Sequence, residues 1–317
     1  MTGGVGEPET VRTARRSRNH IHVTRAQRVG LLALCCAGVG AWLVPTAHGG
    51  SIVPGFNDHT LGRADDQSSG PLVIGFDVNF FGATYSELFI NNNGNITFNQ
   101  ALPAYAAGPL GSLGQSIIAP FFADVDTRGA GSDVTTWGVG WFDGRATFAV
   151  NWGEQNGVGY FNAATDRLNK FQLLLVDRSD IAVGDFDIYF NYDQVLWESG
   201  DVSLGYHGRD GDPARMGFSG GSEDLTYELD GSGQNGVILD GGSRSLAGHS
   251  NVGQDGRYVF EIRDGAMATV PEQPWSLGLL ALGLTGLGWF GWRLGPACTP
   301  QPIRIEARAT RSPRPRR

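Results

Sequence analysis

Three aspartates in the glycine-rich stretch 124–133 have the residue type and spacing of a metal site. Asp124 and Asp126 are two residues apart, which on an extended chain places both carboxylates on the same side. Asp133 follows after two glycines, which allow a loop to close around a cation. Hard cations such as calcium prefer oxygen ligands of this kind. Asp124, Asp126 and Asp133 are therefore candidate calcium ligands, and calcium is the candidate cofactor.

The same stretch also has a structural interpretation, because it departs from the EF-hand pattern. Arg128 occupies the fifth ligand position of such a loop, and Thr135 occupies the twelfth, where a bidentate glutamate belongs. In the structural alternative, Asp126 caps a turn and Asp124 pairs with Arg128, with no metal involved. The residue types alone leave both alternatives open.

A second stretch, 217–221, matches the G-x-S-x-G pattern of hydrolases with Ser219 at its centre. Asp240 and His249 follow in the chain order that such hydrolases use. The nucleophile elbow needs a buried strand before the serine and a helix after it, and the glycine-rich flanks favour neither. A turn between strands is the preferred interpretation, so we predict no enzymatic activity and keep a secreted hydrolase as a minor alternative.

Aromatic residues are the remaining candidates for ligand binding. Trp137, Trp141, Trp152 and Trp197 are candidates for lining a sugar site, although in strands such residues more often form core or hairpin pairs. The histidines outside the first 50 residues are scattered and lack the spacing of a zinc site.

The elements that must position these residues are short strands separated by turns. The clearest pattern is 185–192, where apolar and polar residues alternate with a period of two. Asp143-Gly144 predicts a hairpin turn, and Asn92-Asn93-Gly94-Asn95 forms a further turn cluster. The strands that we predict are 76–81, 86–90, 95–98, 117–125, 135–142, 146–152, 170–176, 185–192, 237–239 and 258–262. The fold class is all-β, with a β-sandwich-like domain over 51–265.

Six motifs occur in this domain in a fixed order. They are Phe80-Phe81-Gly82, Asn93-Gly94-Asn95-Ile96-Thr97-Phe98, Ile118-Ala-Pro-Phe-Phe-Ala-Asp-Val-Asp126, Asn169-Lys-Phe-Gln-Leu173, Phe190-Asn-Tyr-Asp193 and Trp197-Glu198. Together they resemble the NIDO domain, the nidogen-like extracellular module, over a core of 75–263. The resemblance implies a β-rich extracellular module that is associated with cell–matrix adhesion and has no enzymatic activity.

The first 49 residues have the features of a secretory signal peptide. An apolar stretch, 29–44, follows Arg25 and Arg28 and precedes small residues near Ala47 and Gly49. This order of a basic region, an apolar region and small residues predicts an N-terminal signal helix and export.

The other end of the chain contains an apolar stretch, 275–292, of 18 residues without a charge. As a helix it would span ~27 Å, about the thickness of a bilayer core. We therefore predict a C-terminal transmembrane helix that contacts the membrane, preceded by a linker over 266–274 and followed by a basic tail over 293–317.

Val270-Pro271-Glu272 in that linker, the glycine- and leucine-rich helix and the arginines after it resemble the PEP-CTERM sorting signal of Gram-negative bacteria. The resemblance implies an exosortase-like partner that cleaves at the box formed by Val270, Pro271 and Glu272. The box here continues as Gln273-Pro274 and the tail is long, so retention by the anchor is the alternative.

The charge differs between these segments. The formal net charge is −8 for the whole chain, +4 for 1–50 and +6 for 293–317, which leaves −18 for 51–292. An acidic central domain disfavours nucleic acid as a partner. The three cysteines, at positions 35, 36 and 298, all lie outside it, so the domain is free of disulfides.

These features together predict an exported bacterial protein of the cell surface or extracellular matrix. It is anchored at least transiently by its C-terminal helix, and its partners are matrix or exopolysaccharide components. The alternative is a calcium-dependent lectin-like module that uses Asp124, Asp126 and exposed tryptophans to bind carbohydrate.

Overall fold

Short runs of alternating apolar residues fold into fifteen strands within residues 50–268, which are the residues that the computed structural model describes. The predicted signal peptide (1–49), the box at Val270, Pro271 and Glu272, and the apolar stretch 275–292 lie outside the described residues. The strands are β1 (His59–Thr60), β2 (Leu72–Phe80), β3 (Ala83–Asn91), β4 (Asn95–Thr97), β5 (Ser116–Phe122), β6 (Val125–Asp126), β7 (Thr135–Phe142), β8 (Arg145–Trp152), β9 (Val158–Tyr160), β10 (Ala164–Asp177), β11 (Phe186–Gln194), β12 (Arg215–Gly220), β13 (Thr226–Glu228), β14 (Arg257–Arg263) and β15 (Ala266–Met267). Three short 3-10 helices span Leu110–Leu113, Asp201–Ser203 and Glu223–Leu225. Within residues 50–268 no helix has the length and apolar character needed to cross a membrane.

The strands form two antiparallel sheets. The nine-stranded sheet has the order β1-β7-β8-β10-β11-β14-β15, with β9 pairing to both β10 and β6 beside that path. The six-stranded sheet has the order β13-β12-β5-β4-β3-β2. The chain passes from the small sheet to the large sheet between β5 and β6, so residues 123 and 124 lie at a corner of the fold.

A single large core contains buried residues from both sheets. Its largest side chains are aromatic, and Phe80, Phe121, Phe171, Phe190 and Phe218 are all fully buried in it. Phe121 of the small sheet packs against Phe171 of the large sheet, with their ring centroids 5.2 Å apart. These contacts agree with the predicted all-β, sandwich-like architecture.

Strand β11 confirms the alternation predicted for 185–192. Phe186, Ile188, Phe190 and Tyr192 belong to the main core, whereas Tyr189 packs in a separate cluster on the opposite face of the large sheet. The large sheet is therefore covered on both faces.

Residues 51–57, here called the strap, provide part of that second cover. The strap lies over three buried amide side chains, Asn151, Gln172 and Asn191, which we call the amide ladder. Gln172 accepts from Val53 N at 3.0 Å and donates to Val53 O at 2.8 Å. It also donates to Asn151 at 2.7 Å and accepts from Asn191 at 2.8 Å. The ladder gives these buried polar groups partners and fixes the strap.

Several predicted strands differ from the observed ones. The stretch 117–125 is interrupted at the corner, so it forms β5 and β6 in different sheets. Residues 237–239 form no strand, because they run through a segment of successive turns. Conversely, 217–221 was expected to be a turn, but most of it belongs to strand β12.

Candidate functional site

The corner between β5 and β6 carries Asp124, the first of the predicted metal ligands. The side chain is only 3% exposed, and its Oδ2 atom has no hydrogen-bond partner. Gly200 lies directly against it, since a Cβ atom at that position would be 2.8 Å from Asp124 Oδ2. The corner thus buries a carboxylate oxygen that is left without a donor, an arrangement that normally costs stability.

Other acidic groups surround Asp124. Burial raises the pKa of Asp124 to about 7, and repulsion from Asp65, Asp66 and Asp126 adds to the shift. Asp65 has a raised pKa for the same two reasons, first burial and then the charge of Asp126, and its Oδ1 atom is also buried without a partner. We call Asp65, Asp66, Asp124 and Asp126 the acidic corner.

Asp126 is the one member of the acidic corner with a full set of donors. It accepts from Arg128 Nε at 2.9 Å, from Arg128 Nη2 at 2.6 Å and from Ala163 N at 2.7 Å. Burial opposes ionisation of Asp126, but the bonds from Arg128 and Ala163 outweigh it, and the pKa of Asp126 is lowered. Arg128 N also donates to Asp126 Oδ1 at 2.9 Å, so the predicted turn cap is confirmed.

The predicted pairing of Asp124 with Arg128 is wrong. Arg128 Nη2 instead bridges Asp126 and Asp65, at 2.6 Å and 2.8 Å. Asp65 lies 59 residues before Asp124 in the sequence, so no local spacing pointed to it.

Asp133, the third predicted ligand, has separate partners. It accepts from the backbone nitrogens of Gln155, Asn156 and Gly157 at 2.9, 2.6 and 3.1 Å, and from Asn156 Nδ2 at 2.8 Å. Burial opposes ionisation, but these hydrogen bonds prevail and lower the pKa of Asp133. Within 50–268, no three His, Cys, Asp or Glu side chains are arranged to hold a metal ion. Asp133 therefore holds the loop at 155–157, and the structure does not bring the three aspartates together.

The turn between β3 and β4 connects the acidic corner to the core, a link that no local sequence pattern indicates. Asn92 Nδ2 donates to Asp65 O at 2.7 Å and to Val125 O at 2.6 Å, while its Oδ1 atom is buried without a partner. Asn93 accepts from Val125 N at 2.8 Å and donates to Asp66 at 2.9 Å. Asp65, Asn92 and Asp124, each of which has a buried oxygen without a hydrogen-bond partner, therefore all lie at or beside the acidic corner.

The serine of the G-x-S-x-G stretch has no catalytic surroundings. Ser219 is fully buried in β12, where its hydroxyl oxygen accepts from Thr226 Oγ1 at 2.7 Å and from Gly221 N at 3.0 Å. The predicted partners are engaged elsewhere, because Asp240 accepts from Val195 N and His249 lies 3.0 Å from Ser245 O. The geometry assembles no serine triad at this position.

The tryptophans are placed largely in the core. Trp152 and Trp197 are fully buried and donate to the carbonyls of Asn92 and Val158 at 3.1 and 3.0 Å. Trp137 is partly buried against the core, whereas Trp141 is 75% exposed on the β7–β8 hairpin. A sugar site built on several exposed tryptophans is therefore absent from the described residues.

Comparison with known proteins gives similarities over the same part of the chain. A family model described as the nidogen-like domain matches residues 86–137 and 135–264. Alpha-tectorin of Mus musculus is 28% identical over 234 residues, which cover 65% of this chain and 10% of that protein. Nidogen of Drosophila melanogaster is 28% identical over 227 residues, covering 64% of this chain and 16% of that protein.

The similarity thus occupies a small part of these relatives, between about a tenth and a sixth of their length. No solved structure matches the chain.

Proposed function

The chain belongs to the nidogen-like domain family, and from that membership we propose that it is an exported, non-enzymatic adhesion protein of a bacterial surface or extracellular matrix. The observation that carries the proposal is the family match, which runs from within β3 to the end of β14 and so covers most of both sheets. The family resemblance associates this module with cell–matrix adhesion.

The chemistry of the domain supports a role in binding rather than in catalysis. The serine that matches the hydrolase pattern is buried in β12, and its nearest polar partner is Thr226. The domain contains no cysteine, so its stability must come from its large core and not from disulfides. Such a domain can remain folded outside the cell without disulfide bonds.

Export and sorting rest on the two terminal segments. The signal-like residues 1–49 would direct the chain out of the cytoplasm, and the apolar stretch 275–292 would hold it in the membrane until an exosortase-like enzyme cleaves at Pro271. In this proposal, residues 51–265 form the exported domain, 266–274 the linker and 293–317 the basic tail.

Cell fractionation combined with intact mass measurement tests this proposal. We expect protein from the membrane and the medium to begin near residue 50, and protein from the medium to end near Pro271. Beads coated with that protein should bind extracellular matrix prepared from the producing cells, whereas albumin-coated beads should not. Recovery of the full-length chain in the cytosol would contradict the proposal.

Calcium-dependent adhesion is the second candidate function, and the acidic corner supports it. The oxygens without partners on Asp124 and Asp65 would gain a counter-charge if calcium bound there, although Asp133 would take no part and calcium would have to draw these carboxylates together, since no three described acidic side chains are arranged as a metal site. Millimolar calcium should then raise the melting temperature, because a ligand that binds only the folded state stabilises it. The Asp124→Asn variant should lose that response, and equal melting temperatures with calcium and with EDTA would remove this candidate.

A further inference from the structure

A pocket of about 420 Å³ opens where residues 199–212 lie against the hairpin formed by β9 and β10. We infer that this pocket, here called the Tyr206 pocket, binds one or two neutral sugar units. The inference rests on the proposed function for the source of the sugar, a matrix polysaccharide, and on the geometry of the pocket for its chemistry. The volume lies within the range of about 300–1,000 Å³ that is usual for small-ligand sites.

Aromatic rings form one part of the Tyr206 pocket. Tyr206 is 73% exposed, and its ring lies 4.3 Å from the ring of His207 in an edge-to-face arrangement. Phe161 lines the same pocket from the hairpin, and Tyr160, which is 2% exposed and otherwise buried in the core, reaches its edge. The apolar C–H face of a sugar packs on an exposed ring such as that of Tyr206, while the phenol group of Tyr206 still offers a hydrogen bond.

A carboxylate with free acceptor capacity forms another part. Asp166 accepts from Tyr160 Oη at 2.6 Å and from Arg167 Nη1 at 2.8 Å, one bond to each carboxylate oxygen. Burial opposes ionisation of Asp166, but the bonds and charges of Tyr160 and Arg167 prevail and lower its pKa. Each oxygen retains a further lone pair, so the ionised group is suited to accept from two neighbouring sugar hydroxyls.

The walls of the pocket are held in place before any ligand arrives. Arg167 Nη1 donates to His207 O at 2.6 Å, and this hydrogen bond links the segment 199–212 to the hairpin of β9 and β10. Tyr206 and Arg209 exchange backbone hydrogen bonds at 2.7 and 3.2 Å. Asn162 and His207, which both line the pocket, have positive φ values of 66° and 51°. A wall that is already formed lowers the entropy cost of binding.

Charge selects a neutral ligand. The central domain carries −18, which repels anionic polysaccharides. A cationic ligand is disfavoured locally, because the guanidinium of Arg167 already neutralises the charge of Asp166. The side chains invoked for this recognition need no metal, so we expect sugar binding to persist in EDTA, although the backbone nitrogen of Ala163, between the pocket-lining residues Asn162 and Ala164, donates to Asp126 of the acidic corner.

Binding of the full-length chain to immobilised glycans in the presence of EDTA tests the inference. The probes are neutral polymers (dextran, mannan, galactan and chitin oligomers) and the anionic polymers alginate and heparin. We expect binding to at least one neutral polymer and to neither anionic one. Competition by the free monosaccharide would identify recognition of single units, whereas competition by the polymer alone would identify recognition of linked units.

Variants then assign the binding to the pocket. Tyr206→Ala should weaken binding at least about tenfold, since loss of a central aromatic contact commonly costs that much or more. Asp166→Asn should weaken it as well, and Trp141→Ala, which removes another exposed aromatic ring outside the pocket, should leave it unchanged. The melting temperature of Tyr206→Ala should equal that of the parent, because its ring is mostly exposed.

The outcomes separate this inference from the proposed function. Absence of binding to every neutral polymer, or full binding by Tyr206→Ala, would overturn the sugar pocket while leaving matrix adhesion to its own assay. Binding that depends on Tyr206 in a protein that fractionates to the cytosol would support the pocket and refute export.

Discussion

Asp124 and Asp133 lie nine residues apart in a stretch that suggested one metal site, and they have opposite surroundings. Asp133 is ionised in the folded protein because three backbone nitrogens and one amide donate to it. Asp124 is buried beside other acids and has an oxygen without a donor. The two residues therefore affect stability with opposite sign.

We predict that Asp124→Asn stabilises the protein at pH 8 in EDTA, by about 1–3 kcal/mol. The folded-state pKa of Asp124 is about 7, above the value of about 4 expected when unfolded. Its favourable contribution is therefore complete below pH 4 and is lost as the pH rises through 7. The amide cannot ionise, so the difference in melting temperature between variant and parent should grow over this range and then level off.

Asp133→Asn is the matched control. Its folded-state pKa is lowered, so the carboxylate stabilises the fold at neutral pH, and that contribution disappears as the pH falls through the folded-state value. This variant should be less stable than the parent at pH 7, by about 1–3 kcal/mol. Destabilisation by Asp124→Asn at pH 8 would contradict our description of the acidic corner.

Two glycines allow a test of the turn that joins the acidic corner to the core. Gly94 and Gly144 have similar positive φ values, 76° and 73°, but a Cβ atom on Gly94 would overlap Phe121 O, whereas a Cβ atom on Gly144 would meet no atom within 4 Å apart from its chain neighbours. Gly144→Ala should cost about 1–2 kcal/mol for the left-handed backbone alone. Gly94→Ala should cost more than about 4 kcal/mol in urea unfolding, and equal costs would refute the close approach.

Among the elements, the centre of the strap is bonded to one side chain of β10. Gln172 binds both backbone groups of Val53 and two further amides, so we predict that Gln172→Leu destabilises the fold by about 2–4 kcal/mol. Hydrogen exchange at Val53 should accelerate strongly. The control, Gln194→Leu, removes one bond to Leu168 O in the same sheet and should leave exchange at Val53 unchanged. Unchanged exchange at Val53 in Gln172→Leu would show that other contacts hold the strap.

The elements also show how far the sequence could be interpreted. The hairpin of β7 and β8 was predictable, because Asp143-Gly144 is a strong local turn signal between two alternating runs. Strand β12 was missed because its glycines resemble a turn, and only pairing with β5 and β13 makes it a strand. Only part of the acidic corner could be predicted from the sequence. Asp124 and Asp126 are close together in the chain, whereas Asp65 and Asn92 are distant in sequence and are brought beside them by the fold.

For the molecule as a whole, the dominant property is the uneven charge. The domain that carries both sheets holds almost all the acidic side chains, and the basic residues are concentrated in the terminal segments. If the export and sorting proposed above remove those segments, a strongly acidic module remains. Such a charge favours solubility but destabilises the compact state through self-repulsion.

This repulsion predicts that salt stabilises the protein. Raising NaCl from 10 to 500 mM shortens the screening length from about 30 Å to about 4–5 Å. The melting temperature should then rise by about 2–4 °C, the shift expected for roughly 1 kcal/mol in a domain of this size. Magnesium and calcium chlorides at matched ionic strength serve as controls, since screening alone treats them alike. A larger increase in melting temperature with calcium than with magnesium would indicate that calcium binds specifically. If Asp124→Asn abolished that difference, the calcium would be assigned to the acidic corner. A melting temperature that falls with NaCl would mean that attractive ion pairs, such as those of Asp187 with Arg178 and Arg263, outweigh the net repulsion.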